Sequence, residues 1–260
     1  MQKKVWITSL AKDKNKITGL LTLVKKYGLV PNGHFWVDDI AGMAWQSPLD
    51  NLVDRKTVLW IISGAKKDFE SESVRYGLSL LCLSMQNIKG IGFPIIFLNS
   101  DDSTDNDFLP TPLKGCEIIS FHNKFLGAKI TAMANTPVKK ILMNYRINIH
   151  ANQGYGIWFE FGPLEGRVWN GALAGSLKSE INAHGVGESG SLPLKSVLEY
   201  QMQGLKLKKG ENEYTAWAVK NTIDENQSYY VRFSDIPGVV LFGEFPDDDN
   251  NEHDFHVLAL

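Results

Sequence analysis

The sequence has little cysteine and no long apolar run. Only two cysteines, Cys82 and Cys116, occur in 260 residues, and their apolar surroundings favour buried reduced thiols over a disulfide or a catalytic nucleophile. No stretch approaches the roughly 20 apolar residues that a membrane helix needs. The apolar run near the start soon meets Lys12 and Asp13, which is typical of a first strand and not of a signal peptide. We therefore expect a cytoplasmic protein with no membrane partner.

The chain also lacks a strong excess of charge and the common catalytic motifs. Its formal net charge is −2, so no overall positive field would attract nucleic acid or an anionic lipid surface. There is no glycine-rich phosphate loop before a helix, no HExxH and no Ser-His-Asp order. The histidines of the second half lie in separate segments, and we expect neither a metal site nor a tightly bound cofactor.

In the first half, strand-length apolar runs alternate with segments of helical spacing. This order is typical of an α/β domain, residues 1–135, with a parallel sheet and helices on both of its faces. The predicted strands are Lys4–Leu10, His34–Val37, Thr57–Ser63, Phe93–Leu98 and Cys116–Ser120. The predicted helices are Asp13–Tyr27, Trp45–Val53, a helix that is capped by Asp68 or Ser71 and runs to about Asn87, and Phe121–Ala134.

In the second half, the hydrophobic period changes to two after Thr136 and Pro137. Side chains in 140–150 alternate between apolar and polar, as in a half-buried antiparallel strand. The repetition of such runs between Gly, Asn and Pro turns predicts an all-β domain, residues 136–260, folded as an antiparallel β-sandwich. The strands are expected at Lys140–His150, Gly154–Phe161, Gly166–Ala174, Gly204–Lys208, Glu213–Asn221, Ser228–Ser234 and Gly238–Phe245, with FHVLAL docking last. The segment Ser191–Gln203 fits a helix or a strand.

Five segments of the first half carry a family resemblance. They are ITSLAKD, KKYGL, WVDD followed by GMAW, LDNLVDRKTVLWIIS, and GFPIIFL. Together, over residues 3–130, they resemble a Toll/interleukin-1-receptor-type (TIR) domain, which has a flavodoxin-like fold. The resemblance implies cleavage of the nicotinamide–ribose bond of NAD by a glutamate in the first turns of the helix that matches residues 71–85. Here that position falls at 75–77, where no residue is acidic, and Glu70 and Glu72 lie about one turn earlier.

The resemblance places a nucleotide site at the carboxyl ends of the first strands. Glu72 is the candidate catalytic carboxylate, because an anion near the ribose would stabilise an oxocarbenium-like transition state. The candidate binding residues are Ser9, Asp13, Asp38, Trp45, Ser71 and Arg75. Ordinary structural roles compete with these assignments: Glu72 complements a helix dipole, Asp13 caps a helix and Trp45 anchors the core. Because acids here would repel a phosphate, a ribose or a base fits better.

Three functions remain open from the sequence. The first is an intracellular TIR-like protein that binds or processes a nucleotide such as NAD, as substrate or ligand, with the β-sandwich as a sensor or assembly domain. The second is a noncatalytic interaction module that forms homo-oligomers through the α/β domain. The third is a carbohydrate-binding sandwich, for which Tyr155, Trp158, Trp169 and Trp217 would have to be exposed and coplanar; core packing is the other explanation for these rings.

Overall fold

The chain forms two compact units, Met1–Ile141 and Leu142–Leu260. The computed structural model describes residues 2–101, 105–246 and 255–260. Among these residues, no helix combines the length and the apolar character of a membrane span.

The first unit alternates strands and helices, as the sequence pattern predicts. Its strands are β1 (Lys4–Ser9), β2 (Val30–Phe35), β3 (Thr57–Gly64), β4 (Ile95–Asn99) and β5 (Glu117–Ser120). Its α-helices are α1 (Lys14–Lys26), α2 (Leu49–Val53), α3 (Glu72–Lys89) and α4 (Leu126–Asn135). Short 3-10 helices occupy Ala44–Gln46, Lys66–Glu70 and Thr111–Leu113.

The five strands form one parallel sheet in the order β2-β1-β3-β4-β5. This is the strand order of flavodoxin-like doubly wound folds. The chain leaves β1 toward β2 on one side and then returns to β3 on the other side. The topological switch point therefore lies between β1 and β3, and the predicted α/β architecture is confirmed.

Both faces of the sheet are buried, which explains why its central strands are apolar throughout. On one face, Val5, Ile7 and Ile61 pack with Leu20 of α1 and Ile130 of α4. The alternate residues point the opposite way and are buried as well, including Trp6, Trp60 and Ile62. The helices α2 and α3 contact each other and cover this second face.

Residues predicted to cap helices take those positions. The side chain of Asp13 accepts the Lys16 N–H at 3.0 Å at the start of α1, and Ser71 accepts the Val74 N–H at 3.4 Å at the start of α3. Each bond satisfies an amide that has no partner within the helix. The helix α3 ends at Gly90, whose φ of 88° favours glycine.

The second strand, the second helix and the start of the last helix differ from the prediction. The last helix was predicted to begin at Phe121, and α4 begins at Leu126. The strand β2 spans Val30–Phe35 instead of His34–Val37, because Pro31 and Gly33 are tolerated on an edge strand with one neighbour. A Cβ at Gly33 would lie 2.1 Å from the Ile7 carbonyl oxygen, so this position requires glycine. The segment predicted as one helix, Trp45–Val53, is divided into a 3-10 turn and the short α2.

The second unit is an antiparallel β-sandwich, as predicted. One sheet has the order β6-β7-β12-β9 and the other the order β10-β11-β8-β13-β14. The strands are β6 (Tyr145–Asn152), β7 (Gly156–Pro163), β8 (Ala172–Ser176), β9 (Ile181–Glu188), β10 (Met202–Lys209), β11 (Asn212–Val219), β12 (Gln227–Phe233), β13 (Val239–Glu244) and β14 (His256–Ala259). The expected docking of FHVLAL as a last strand is confirmed.

The sandwich core joins the two sheets through aromatic side chains. Phe161 of β7 stacks across the sheets on Phe242 of β13, with ring centres 4.2 Å apart. Within its own sheet, Phe159 of β7 meets Phe233 of β12 edge to face at 5.6 Å. Phe159 and Phe161 lie on the inward side predicted from the alternation along β7. Burial of each ring contributes to holding the sheets face to face.

Four details of the sandwich were not predicted correctly. The first strand was predicted to begin at Lys140 and begins at Tyr145. The segment predicted as the strand Gly166–Ala174 makes only an isolated bridge at Trp169 before β8 begins at Ala172. The strand β9 was missed, because its Gly185 and Gly187 weaken any strand signal. The ambiguous segment Ser191–Gln203 forms neither helix nor strand before Met202.

Candidate functional site

The loops that follow β1 and β3 leave the sheet side by side. Ser9 pairs with Phe35 on one side and with Ser63 on the other, in parallel register. Immediately after β1, the Leu10 N–H donates to the Ser63 carbonyl at 2.9 Å. In open α/β sheets this is the place where ligands bind. The candidate site is therefore the carboxyl edge of the sheet at its switch point.

Ser9 and Asp13, the two predicted site residues at and after the end of β1, both make hydrogen bonds with nearby backbone groups. Ser9 is buried, and its hydroxyl donates to the Ala11 carbonyl at 2.6 Å. Asp13 is exposed, and one of its carboxylate oxygens caps α1. The structure thus brings both residues to the edge, where Asp13 still has a second oxygen that faces solvent.

A chain of side-chain hydrogen bonds joins the loop after β2 to the first turn of α3. The Ser73 hydroxyl donates to Asp38 at 2.7 Å. Ser71 and Ser73 have their hydroxyl oxygens 2.9 Å apart. Because the proton of Ser73 is used on Asp38, Ser71 donates to Ser73. The structure therefore brings together Asp38 and Ser71, through a residue that the sequence analysis did not select.

Ser73 was missed for a physical reason. It lies two residues after a helix cap, where serine usually faces solvent or its own backbone. Its partner Asp38 is 35 positions away in sequence. Only the parallel order of the strands brings the two loops together, and no local pattern shows this contact.

Glu72 is the first residue of α3 and the acidic residue of its first turn. Its side chain is exposed and makes no hydrogen bond or ion pair with any residue that the structure describes. The positions 75–77, which the resemblance to TIR domains would match to a catalytic glutamate, hold no acidic residue: Arg75 is followed by Tyr76 and Gly77, which are buried within α3. Glu72 is therefore a carboxylate at this edge with both oxygens available to a ligand.

Arg75 is turned toward the loop that follows β4. Its guanidinium donates to the Phe108 carbonyl at 2.6 Å. Partial burial lowers the pKa of Arg75 from its usual value, although the group remains a cation. This contact fixes Arg75 one helical turn beyond Ser71, where it links α3 to Phe108.

Trp45 lies in the core. It is 1% exposed, and it sits in the 3-10 turn Ala44–Gln46. Neither face of its indole is open to a ligand in this structure. The core-anchor role that the sequence analysis weighed against base stacking is the one that fits this geometry.

Two lysines bring positive charge to the same edge. The Lys16 ammonium donates to the Ser100 hydroxyl at 2.5 Å and lies 4.2 Å from the centre of the Phe121 ring. The backbone N–H of Lys66 donates to the Asp101 carboxylate at 2.9 Å. The ammonium of Lys66 forms an ion pair with Asp105 at 3.4 Å. These contacts tie the first turn of α1 and the 3-10 helix Lys66–Glu70 to the residues that follow β4.

The aromatic residues named for carbohydrate binding do not form one surface. Trp169 is buried, and Trp217 meets His184 edge to face at 4.9 Å. Trp158 of β7 lies on the outer face of the four-stranded sheet, away from the core. There the guanidinium carbon of Arg232 is 5.3 Å from the centre of the Trp158 ring. Tyr155 is 44% exposed at the turn before β7. Of the four rings, Trp169 is closed to a ligand by burial, Trp158 and Trp217 are half-buried, and Tyr155 is exposed.

The second unit also contains an open pocket of about 700 Å³ between β9 and the segment 191–199. Its wall includes Leu192, Pro193 and Val197, together with Asn221 and Gln227. None of the residues described as lining it is aromatic, so it offers no stacking surface for a base or a sugar. In the described ranges 2–101, 105–246 and 255–260, no three His, Cys, Asp or Glu side chains lie close enough together to hold a metal ion.

Compared with known proteins, the sequence matches no protein-family model and no curated protein.

Proposed function

We propose that the first unit is a TIR-like domain that binds a nucleotide at the switch point of its sheet, with NAD as the first ligand to test. The observation that carries the proposal is the carboxylate of Glu72, which has no partner among the described residues and lies at the edge where strand order reverses. Ligands of open α/β sheets bind at this position. The hydrogen-bonded chain Asp38–Ser73–Ser71 holds the adjacent loop against α3.

The chemistry of this edge suits the ribose of the ligand. Each oxygen of Glu72 can accept a hydrogen bond from a ribose hydroxyl. A phosphate at the same position would be repelled by the carboxylate despite the free amides of the helix. The phosphates would instead lie toward Lys16 and Lys66, whose contacts place them beside the loop after β4.

Cleavage of NAD by this site would rest on the same carboxylate. The nicotinamide–ribose bond breaks with its electron pair leaving on nicotinamide, and water then adds to the ribose carbon. Positive charge develops on the ribose in between, and the anion of Glu72 would stabilise it. Because Glu72 is exposed in the single chain, water screens this effect. We therefore expect slow turnover, which rises when a second copy of the domain covers the edge.

The test compares two exposed carboxylates that lie close together in the chain. Titration of NAD into the full chain is followed by calorimetry, and nicotinamide release by chromatography, for the wild type, Glu72→Gln and Glu70→Gln. The proposal expects NAD binding that is weakened about tenfold in Glu72→Gln, the loss of a charge-assisted bond, and unchanged in Glu70→Gln. Absence of NAD binding at high protein concentration would remove the proposal.

One observation favours the second candidate, a noncatalytic interaction module. The Ser9 hydroxyl donates to a backbone carbonyl, and the side chains of Asp13 and Ser71 cap helices. If these roles are the whole of their function, the edge has few free polar groups for a nucleotide. Self-association measured by light scattering, without any effect of NAD on it, would support this candidate.

The proposed location is the cytoplasm. Both cysteines are free thiols, and burial raises the pKa of Cys116 to about 12. Burial also raises the pKa of the fully enclosed Cys82. Neither thiol is activated as a nucleophile, which supports a structural role for both in a reducing compartment.

A further inference from the structure

The outer face of the four-stranded sheet carries a polar cluster that the proposed nucleotide site does not use. Alternation along β6 and β7 places Asn148, His150, Trp158 and Glu160 on this face, while Phe159 and Phe161 point into the core. On β12, Tyr230 pairs with Glu160. The cluster therefore spans three neighbouring strands, in a unit separate from the parallel sheet.

Glu160 is the centre of the cluster and is only 4% exposed. One carboxylate oxygen accepts from the Ser228 hydroxyl at 2.8 Å, the Gly190 N–H at 2.8 Å and the Ser189 hydroxyl at 3.1 Å. The other oxygen lies 2.6 Å from the Nε2 of His150. Burial alone would raise the pKa of Glu160, but these hydrogen bonds, led by that of His150, lower it to about 2.

The ionised carboxylate determines which nitrogen of His150 faces outward. A carboxylate only accepts hydrogen bonds, so the Nε2 of His150 carries a hydrogen. In the neutral imidazole, Nδ1 is then the acceptor. This Nδ1 has no partner among the residues that the structure describes, and the side chain is 14% exposed. In its neutral form, His150 thus presents an oriented acceptor at the surface of the sheet.

An aromatic ring and a cation lie next to this acceptor. His150 pairs directly with Trp158 across β6 and β7. The guanidinium of Arg232 lies over the Trp158 ring and donates from Nε to Asn182 at 2.8 Å and from Nη1 to the Tyr155 carbonyl at 3.1 Å. Its Nη2 makes no hydrogen bond within the part of the chain that the structure describes. Two strand spacings, about 10 Å, separate β6 from β12.

We infer that the row His150, Trp158 and Arg232 is a binding site for an anionic carbohydrate. A sugar hydroxyl would donate to Nδ1 of His150, the apolar face of the ring would pack against Trp158, and a carboxylate or phosphate would bind the free Nη2 of Arg232. Glu160 is a positioning residue, because it touches the ligand only through His150. This inference is independent of the nucleotide site on the first unit.

The ligand test uses D-glucuronic acid, glucose 6-phosphate and neutral D-glucose, each titrated into the full chain by calorimetry up to its solubility limit. We expect saturable binding of an anionic sugar and binding of glucose that is about tenfold weaker or undetectable. Binding of only one anionic sugar identifies the carboxylate or the phosphate as the group that is recognised. No saturable binding of either, or equal binding of glucose, would overturn the inference.

Matched variants separate this site from a general charge effect and from the nucleotide site. Arg232→Gln should weaken anionic sugar binding about tenfold. Arg167→Gln, at an exposed arginine of the same unit, and Glu72→Gln should leave it unchanged. Equal losses in Arg232→Gln and Arg167→Gln would contradict the inference. Near-UV circular dichroism confirms that each variant is folded.

A second readout tests the orientation of His150 without any ligand. Long-range ¹H–¹⁵N spectra of the imidazoles distinguish the two neutral forms of histidine. We expect His150 to carry its hydrogen on Nε2 in the wild type. A hydrogen on Nδ1 would remove the acceptor from the surface and contradict the assignment.

Discussion

Ser73 donates a 2.7 Å hydrogen bond to Asp38, and this contact fastens the loop after β2 to the first turn of α3. The two residues belong to connections that start from different strands of the sheet. Their bond sets the position of the loop that borders Glu72. It therefore links the stability of the first unit to the geometry of the proposed site.

Replacement of Ser73 by alanine tests this link. Ser73→Ala removes both the bond to Asp38 and the bond from Ser71, so we expect the free energy of unfolding to fall by about 1 kcal/mol. NAD affinity should fall with it, because the loop loses its attachment. The control is Ser47→Ala, at an exposed serine whose hydroxyl has no partner among the described residues. Equal unfolding curves for the two variants in urea would contradict the prediction.

A second pair of variants tests the close packing beneath the same loop. A Cβ at Gly77 of α3 would lie 2.8 Å from Trp36 and 3.1 Å from Ile40, so Gly77→Ala forces core side chains to move. We expect a loss of about 1–3 kcal/mol in stability. Gly19 of α1 has nothing within 4 Å of a Cβ, and Gly19→Ala should stabilise the helix by up to about 1 kcal/mol. Thermal melts that shift in the same direction for both would be inconsistent with this packing.

The buried carboxylate of the sandwich predicts a dependence of stability on acid pH. The pKa of Glu160 is lowered from 4.5 to about 2 in the folded chain. Its stabilising contribution is therefore complete above pH 4.5 and is lost as the pH falls toward 2. Glu160→Gln should lower stability by about 2 kcal/mol at neutral pH, because an amide cannot accept all of these bonds. In the variant, the free energy of unfolding should also change less steeply with pH between 4.5 and 2, as measured by urea unfolding at each pH.

Glu225→Gln is the control for that experiment. Glu225 is an exposed carboxylate of the same unit that accepts the Gly166 N–H. Its replacement should change stability much less, since surface hydrogen bonds compete with water. If Glu160→Gln retained the full acid slope of the wild type, the account of its hydrogen bonds would be wrong.

The burial of His34 in the first unit predicts a second pH dependence of stability, at a higher pH than that of Glu160. Burial lowers the pKa of His34 from 6.5 to about 4. Between these values the unfolded chain binds more protons than the folded chain, so stability rises with pH from about 4 to 6.5. His34→Gln removes this contribution and should flatten the curve of melting temperature against pH in that window. An unchanged curve would show that His34 titrates normally in the folded protein.

Much of the fold could be predicted because each unit repeats one hydrophobic pattern along its strands. Continuous apolar runs such as Thr57–Ser63 indicated buried parallel strands, and the alternation around Phe159 and Phe161 indicated a sandwich. Prediction failed where tertiary context overrides local preference. The edge strand β2 includes Pro31, and β9 contains Gly187, where a Cβ would lie 2.6 Å from Pro193. Such glycines are retained because another segment packs on them, which no local pattern reveals.

The location of the candidate site could be predicted from the sequence, but the contacts of its side chains could not. Parallel strand order was sufficient to bring Ser9 and Ser71 to one edge. The internal roles of these residues and the burial of Trp45 depend on how loops fold onto the sheet. The cluster around Glu160 joins residues from three strands and a loop, and Ser228, which donates to Glu160, lies 68 positions from it in sequence.

The most direct test of the central claim is a map of the amides that respond to NAD. The full chain, labelled with ¹⁵N and ²H, is titrated with NAD, and backbone shifts are followed in TROSY spectra. The account predicts saturable shifts concentrated in residues 9–16, 36–44 and 65–75, at the carboxyl edge of the parallel sheet. Shifts confined to the β-sandwich, or spectra that do not change with NAD, would contradict it.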